Sequence, residues 1–228
     1  MRKTIRKLLA TSNPMGDLEA LEKLVQVAPE TDADALILIG NLFPKSAHTR
    51  DYGVFFRLLA QANLPTYYIP GPQDAPIWEY LREAANVELI HPHMKNVHGS
   101  FAFARGPYLV AGLGGEVVDE GKKEEEEALR YPAWEAEYRF KVLWEVKDYP
   151  RIFLFYTHPA HKGLGEGGSQ AVAELIKTHN PLVALVAGRG QKKELLGHSY
   201  VLIPGDLSEG EYSVFDLREH HLEAGNVR

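Results

Sequence analysis

Short runs of β-branched and aliphatic residues alternate along the chain with amphipathic stretches. Ile5 to Ala10 is followed by Asp17 to Val27, Ala35 to Ile39 by Arg50 to Ala62, and Thr66 to Ile69 by Ala75 to Ala85. The alternation predicts strands joined by helices, hence βαβ units and a largely parallel sheet. A second series follows: strand Tyr108 to Ala111, a long helical stretch from Lys122 to Lys147 interrupted near Pro132, strand Ile152 to Tyr156, helix Gln170 to Thr178 and strand Leu182 to Val186. Tyr200 to Ile203 and Tyr212 to Phe215 read as closing antiparallel strands. There is no fixed-period repeat and no Pro/Gly/Ser-rich linker long enough to separate two domains. We expect one domain over residues 1–228, its two βα groups supplying two sheets packed on one core.

Composition works mainly by exclusion. Lys and Arg total 25 against 31 Asp and Glu, a net charge of −6 with no basic block, which argues against a protein held on duplex nucleic acid by phosphate neutralisation. The absence of cysteine removes disulfides, thiolate zinc sites, iron-sulfur clusters and cysteine nucleophiles, so any metal must use oxygen or nitrogen ligands. The apolar run Leu8 to Ala10, soon ended by Pro14, is too short for a signal-peptide core, and no stretch approaches the roughly 18 apolar residues of a membrane span. The expectation is a cytoplasmic protein without membrane partners. Missing cysteine, 3 Met and an acidic surface also suit a thermophile.

In open α/β sheets ligands bind outside the carboxyl ends of the strands. Five loops there carry small and polar residues: Thr11 to Asp17, Gly40 to Leu42, Gly71 to Asp74, Thr157 to His161 and Gly188 to Gln191. Gly163 to Gly168 fits G-x-G-x-x-G but starts six residues beyond the strand end at Thr157, so a flexible glycine-rich loop is favoured over a dinucleotide site. Neither a G-x-S-x-G elbow nor an H-E-x-x-H helix occurs. Glu124 to Glu127 reads as a solvated helix face, and Trp134, Tyr138, Phe140, Leu143 and Trp144 as a helix burying an aromatic face. His220 and His221, in a polar tail, receive no role.

The five loops, in this order and with these flanks, resemble the calcineurin-like metallophosphoesterase superfamily, and most of all its small single-domain bacterial members. LLATSNPMGDLEAL is similar to the family's opening strand, D-x-H loop and helix; ALILIGNL to its second strand and Gly-Asp pair; YYIPGPQDAPIWEYL to its Gly-Asn-His-Asp/Glu loop; IFLFYTHPAHKG to its histidine strand; and ALVAGRGQ to its Gly-His-x-His. PGDLSEGEYSVFDL is similar to its closing strands, so the likeness runs from about Ile5 to about Asp216. The resemblance implies a four-layer α/β sandwich of two mixed sheets flanked by helices. It also implies two divalent metals bridged by a carboxylate, with a metal-bound water attacking phosphorus.

Against that pattern, Asn13 and Met15 stand at the first-loop Asp and His positions, and Asn41 at the bridging Asp. Pro72 and Gln73 take the places of the ligand Asn and the catalytic His, leaving Asp74, while His158 matches a ligand histidine and Arg189 and Gln191 replace the last two. Losing two carboxylates leaves a pair of dications about 3.5–4 Å apart without a charged bridge. A guanidinium at position 189 cannot ligate and would put a fixed positive charge in the cleft. The sequence therefore points to a family member with no dinuclear cofactor, a pseudoenzyme or residual phosphoesterase. Its cleft, with Asn13, Met15, Asn41, Gln73, Asp74, His158, Arg189 and Gln191, would bind a phosphate-bearing small molecule or anion, with Lys162 as a further cation close by in the chain. Two alternatives stand beside it: a divergent phosphodiesterase or phosphatase with a single divalent ion near His158 and Asp74, and an interaction or scaffold protein. A homo-oligomer is compatible with all three.

Overall fold

The computed structural model describes residues 4–47, 49–119 and 128–228. Its first part comprises β1 (Lys7–Ser12), α1 (Leu18–Val27), β2 (Ala35–Ile39), α2 (Tyr52–Ala60), β3 (Thr66–Ile69), α3 (Ile77–Ile90) and β4 (Met94–Asn96). The four strands run parallel side by side, each helix crossing from one to the next. Next come β5 (Ser100–Phe103), β6 (Leu109–Leu113), β7 (Glu116–Val118), β8 (Arg130–Pro132) and α4 (Ala133–Phe140). The chain continues through β9 (Arg151–Phe155), α5 (Gln170–His179), β10 (Val183–Val186), β11 (Gln191–Leu196) and β12 (Ser199–Pro204), then ends in β13 (Glu211–Asp216) and β14 (His221–Asn226). One six-stranded sheet has the order β14-β13-β1-β2-β3-β4, the other β11-β12-β10-β9-β6-β5, and β7 pairs with β8 apart from both.

Strand sequence explains the layering. Ala35, Ile37 and Ile39 of β2 meet Ile152 and Leu154 of β9 and Val183 and Leu185 of β10 in an apolar layer between the sheets. The intervening Leu36 and Leu38 pack outward with Leu21, Leu24, Phe55 and Phe56 of α1 and α2. On the second sheet Phe153 and Phe155 do the same against Phe140, Val172 and Ile176 of α4 and α5. A strand covered on both faces needs an unbroken apolar run, which is what ALILI and RIFLF supply after their first residues. The result is helices, sheet, sheet and helices: a four-layer α/β sandwich with two mixed sheets. Helix starts are fixed locally, with Asp17 accepting from the Ala20 N–H at 2.9 Å and Asp51 from the Val54 N–H at 2.8 Å. Among the described residues no helix is long and apolar enough to cross a membrane.

Three expectations change. The strand at Tyr200 to Ile203 is antiparallel on one side only: β12 runs antiparallel to β11 but parallel to β10 in the second sheet, whereas β13, at Tyr212 to Phe215, lies antiparallel to β1 in the first as expected. Of the helical stretch from Lys122 to Lys147, the described part contains only α4 and a 3-10 segment, Lys141–Val146, preceded by β8. Glu124 to Glu127 lies outside the described residues. Phe140 and Leu143 are buried as expected, but Trp134 is 67% exposed, Tyr138 71%, and Trp144 is exposed as well. One short helix turns only part of its circumference to the sheet, and Phe140 and Ala136 occupy that part.

Candidate functional site

All five loops gather at the carboxyl ends of β1, β2, β3, β9 and β10. A cleft of about 380 Å³ opens there, lined by residues that include Asn13, Pro72, Glu116, Tyr156, His158 and Gly188. Backbone bonds lace the loops together: the Asn13 N–H donates to the Ile39 carbonyl at 2.9 Å, the Met15 N–H to that of Asn41 at 3.2 Å, and the Gly16 N–H to that of Leu42 at 2.7 Å. The Ser12 hydroxyl donates to the Gly205 carbonyl at 2.8 Å and accepts from the Gly188 N–H at 3.3 Å, tying the first loop to the last. The second and third loops approach so closely that a Cβ on Gly40 would collide with the backbone nitrogen of Gly71, and one on Gly71 with Asn41. Only glycine fits either place.

Asn13, Asn41 and Gln73 form one hydrogen-bonded chain. Asn13 Oδ1 accepts from the backbone N–H of Asn41 at 2.8 Å and lies 3.4 Å from Asn41 Nδ2. Asn41 Oδ1 accepts from the Gln73 N–H at 2.8 Å, and Asn41 Nδ2 donates to the Tyr156 hydroxyl at 3.0 Å. The Gln73 side chain turns to the second loop, where its Oε1 accepts from the Lys45 N–H at 2.8 Å. Asp74 is fully buried and takes four donors: the N–H groups of Leu42, Phe43 and Gly71 and the Tyr52 hydroxyl, at 2.8–3.2 Å. Burial raises its carboxyl above the ordinary value, and those four donors pull the other way.

His158 lies at the cleft with Nδ1 3.2 Å from the Pro159 carbonyl. A carbonyl only accepts, so Nδ1 carries the proton and Nε2 is the open nitrogen. Met15, at a left-handed φ of 51°, is partly buried and outside the cleft lining. Gln191 is the first residue of β11, where its amide donates to the carbonyls of Tyr212 and Gly225 at 3.0 and 2.9 Å, joining the two sheets. Arg189 does not carry its charge into the cleft. Its side chain is 78% exposed on the turn between β10 and β11, with guanidinium nitrogens 3.8 Å from Asp206 and 3.9 Å from Glu209. It lies outside the cleft lining beside those two carboxylates, exposed to solvent where a long charged side chain costs least to place. Lys162 is exposed as well.

Two lining groups escaped sequence reasoning. Tyr156, which reads simply as the end of a strand, presents a hydroxyl that burial raises above its ordinary pKa, with the Asn41 bond opposing and the carboxylates of Asp206, Asp74 and Glu116 reinforcing; it stays a neutral donor. Glu116 comes from β7, a strand of three residues too short to register, and pairs with Arg130 at 2.7 Å. The glycine-rich loop contributes Gly167 to the lining, but the N-terminus of α5 behind it is already occupied by a carboxylate. Asp119 accepts from the Ser169 hydroxyl at 2.7 Å and the Gln170 N–H at 2.9 Å, filling the place a dinucleotide phosphate would need. Among the described residues no group of three or more His, Asp or Glu is placed to hold a metal ion.

The family model for metallophosphoesterases of the calcineurin superfamily matches residues 1–227. No curated protein sequence matches the chain. Among solved structures, the protein TT1561 of Thermus thermophilus is similar with 72% identity and a TM-score of 0.95, over 99% of this chain and all of that one. A dimetal phosphatase from Danio rerio is 10% identical with a TM-score of 0.65, over 99% and 98% of the two chains. Purple acid phosphatase PPD1 of yellow lupin is 11% identical with a TM-score of 0.57, over 99% of this chain and 52% of that one, and these two likenesses concern the fold alone. Strand order, loop convergence and a family match over nearly every residue agree: the chain belongs to the calcineurin superfamily of metallophosphoesterases.

Proposed function

We propose that this chain is a metallophosphoesterase-family protein whose dinuclear metal centre has been replaced by a hydrogen-bonded network of neutral side chains, and whose cleft binds a phosphate-bearing small molecule or anion. The observation that carries this reading is the commitment of Asn13 Oδ1, Asn41 Oδ1 and both Asp74 oxygens to donors within the protein. A ligand oxygen whose lone pairs face N–H groups is not aimed at a cation, and Asn41 brings no charge to bridge two dications. The residues present do not fit such a centre. The single-ion alternative would need Asp74 to leave four donors, several of them buried, to join His158.

The donors open to a ligand are neutral: the Asn13 amide, whose Nδ2 makes no hydrogen bond among the described residues, and the Tyr156 hydroxyl. His158 Nε2 can accept from a ligand hydroxyl. At roughly 0.5–1.5 kcal/mol each, three such bonds give about 1.5–4.5 kcal/mol, which places inorganic phosphate between about 0.1 M and 1 mM. Larger phosphate-bearing ligands gain from contact with Pro72 and the Gly167 loop. Hydrolysis of phosphomonoesters and diesters is expected at background, because Gln73 is neither acid nor base.

The test is thermal shift and calorimetry with phosphate and a nucleotide panel, in low-salt buffer containing a chelator. The expected result is stabilisation that the double substitution Asn13→Ala/His158→Ala removes and Arg189→Ala leaves largely intact. If no phosphate compound binds, the ligand half of the proposal is wrong. Metal-dependent turnover abolished by His158→Ala would replace the proposal with the single-ion enzyme.

A further inference from the structure

At the other end of the second sheet, the turns that enter β9, β10 and β12 enclose an open cleft of about 440 Å³ lined by Lys147, Tyr149, Arg151, His179, Asn180 and His198, among others. Arg151 begins β9, and His158 follows the far end of the same strand. Five residues at roughly 3.3 Å each put the two clefts about 16 Å apart. They are separate sites.

Arg151 is unusual in its surroundings. It is 7% exposed, yet no carboxylate pairs with it among the described residues. Its Nη1 donates to the His179 carbonyl and its Nη2 to the Leu143 carbonyl, both at 2.9 Å, which uses two of the five N–H groups of the fork. Burial alone lowers its pKa, with no opposing partner. A buried cation without a counter-charge is costly and calls for something to balance it.

The neighbouring atoms repeat the pattern. Among the described residues three buried side-chain polar atoms lack a hydrogen-bond partner: Arg151 Nε, His179 Nδ1 and Ser199 Oγ. Arg151 and His179 line this cleft, and Ser199 directly follows His198, which also lines it. Unsatisfied buried groups are rare, and two of these three belong to side chains that line this cleft. Lys147, exposed, adds a positive charge at the mouth and His198, also exposed, a ring N–H, against the single carboxylate of Asp148.

We propose that this cleft is a second, anion-binding site, in which Arg151 receives a small oxyanion, a phosphate or a carboxylate, with Asn180, His198 and Lys147 closing around it. A planar guanidinium with two N–H groups on carbonyls keeps three more, and a fork of this shape suits the oxygens of either oxyanion. The site is independent of the reading given to the cleft at His158.

The test is NMR titration of the whole chain at low ionic strength with inorganic phosphate in one arm and malonate in the other, following the Arg151 Nε–H signal and the backbone amides of Asn180, Leu182 and His198. Saturable shifts of these signals in either arm are expected, with the arm that saturates identifying the oxyanion class. They should persist in His158→Ala, which separates them from binding at the first cleft. Arg151→Met should abolish the amide shifts, and Lys147→Met/His198→Ala, at exposed positions that leave the fold intact, should weaken binding by about tenfold. Absence of saturable shifts at these signals in the parent protein, or full binding by the exposed double variant, would overturn the proposal.

Discussion

Asp74 shows how far a single residue's role depends on the direction of its bonds. The sequence presents it as the last acidic group of a metal-binding loop; the fold surrounds it with the N–H groups of Leu42, Phe43 and Gly71 and the Tyr52 hydroxyl. In Asp74→Asn an amide NH₂ would face some of these donors, and unsatisfied buried groups cost about 1–3 kcal/mol each. A loss of about 2–3 kcal/mol in urea unfolding is therefore expected, with Asn13→Ala, which removes one acceptor from Asn41, costing about 1 kcal/mol. Unchanged stability in Asp74→Asn would mean that the carboxylate is held for a ligand. Of the residues the resemblance points to, Asn13 and His158 line the cleft and Asn41 bonds to Asn13, whereas Met15, Arg189 and Gln191 lie elsewhere. Their bonding was not legible in the sequence, because the partners lie about thirty residues away along the chain: Asp74 to Leu42, Asn41 to Asn13. Arg189 likewise lies beside carboxylates distant along the chain, Asp206 and Glu209.

Elements were legible in proportion to their burial. β2, β3, β9 and β10, covered on both faces, declare themselves as apolar runs; β5, β7, β11 and β14 are short or polar strands with little periodicity to read. QKKELL is an edge strand made of residues that suit a solvated edge, so only its pairing with β12 reveals it. Where elements touch, the tolerance is small. Gly40→Ala should destabilise by more than about 2 kcal/mol or prevent folding, because the new methyl collides with backbone rather than a movable side chain; a folded, fully stable variant would contradict the packing of the second loop on the third. A pH effect belongs to the same scale. His98 bridges β6 and β8, its Nδ1 accepting from the Gly114 N–H and its Nε2 lying 3.0 Å from the Tyr131 hydroxyl. Burial, and secondarily Arg139, lowers its pKa to about 4, and His179 is lowered to about 4 as well, by burial and then Arg151. Both are neutral in the fold, so as pH falls below about 6.5 the unfolded chain takes up protons first and stability declines until about pH 4. The slope is at most about 1.4 kcal/mol per pH unit for each group. Urea unfolding of His98→Gln across that window should show a shallower decline; a slope equal to the parent's would show that His98 does not contribute.

On the scale of the whole molecule, two mixed sheets hold five loops from distant parts of the sequence at one end, and the family likeness of the chain rests on that arrangement. At that end the architecture forms a cleft lined by Asn13, Glu116, Tyr156 and His158, with Glu116 paired to Arg130 and Arg189 outside the lining. An exposed charge among carboxylates contributes little affinity, so Arg189→Ala should alter the salt dependence of anion binding more than its strength, which calorimetry at two salt concentrations measures. The central claim is that this cleft no longer holds a dinuclear metal centre. Calorimetric titration of chelator-stripped protein with manganese tests it most directly. The expected result is no saturable uptake of two equivalents at micromolar metal, in the parent and in His158→Ala alike. Two tightly bound equivalents in the parent, lost in His158→Ala, would contradict it.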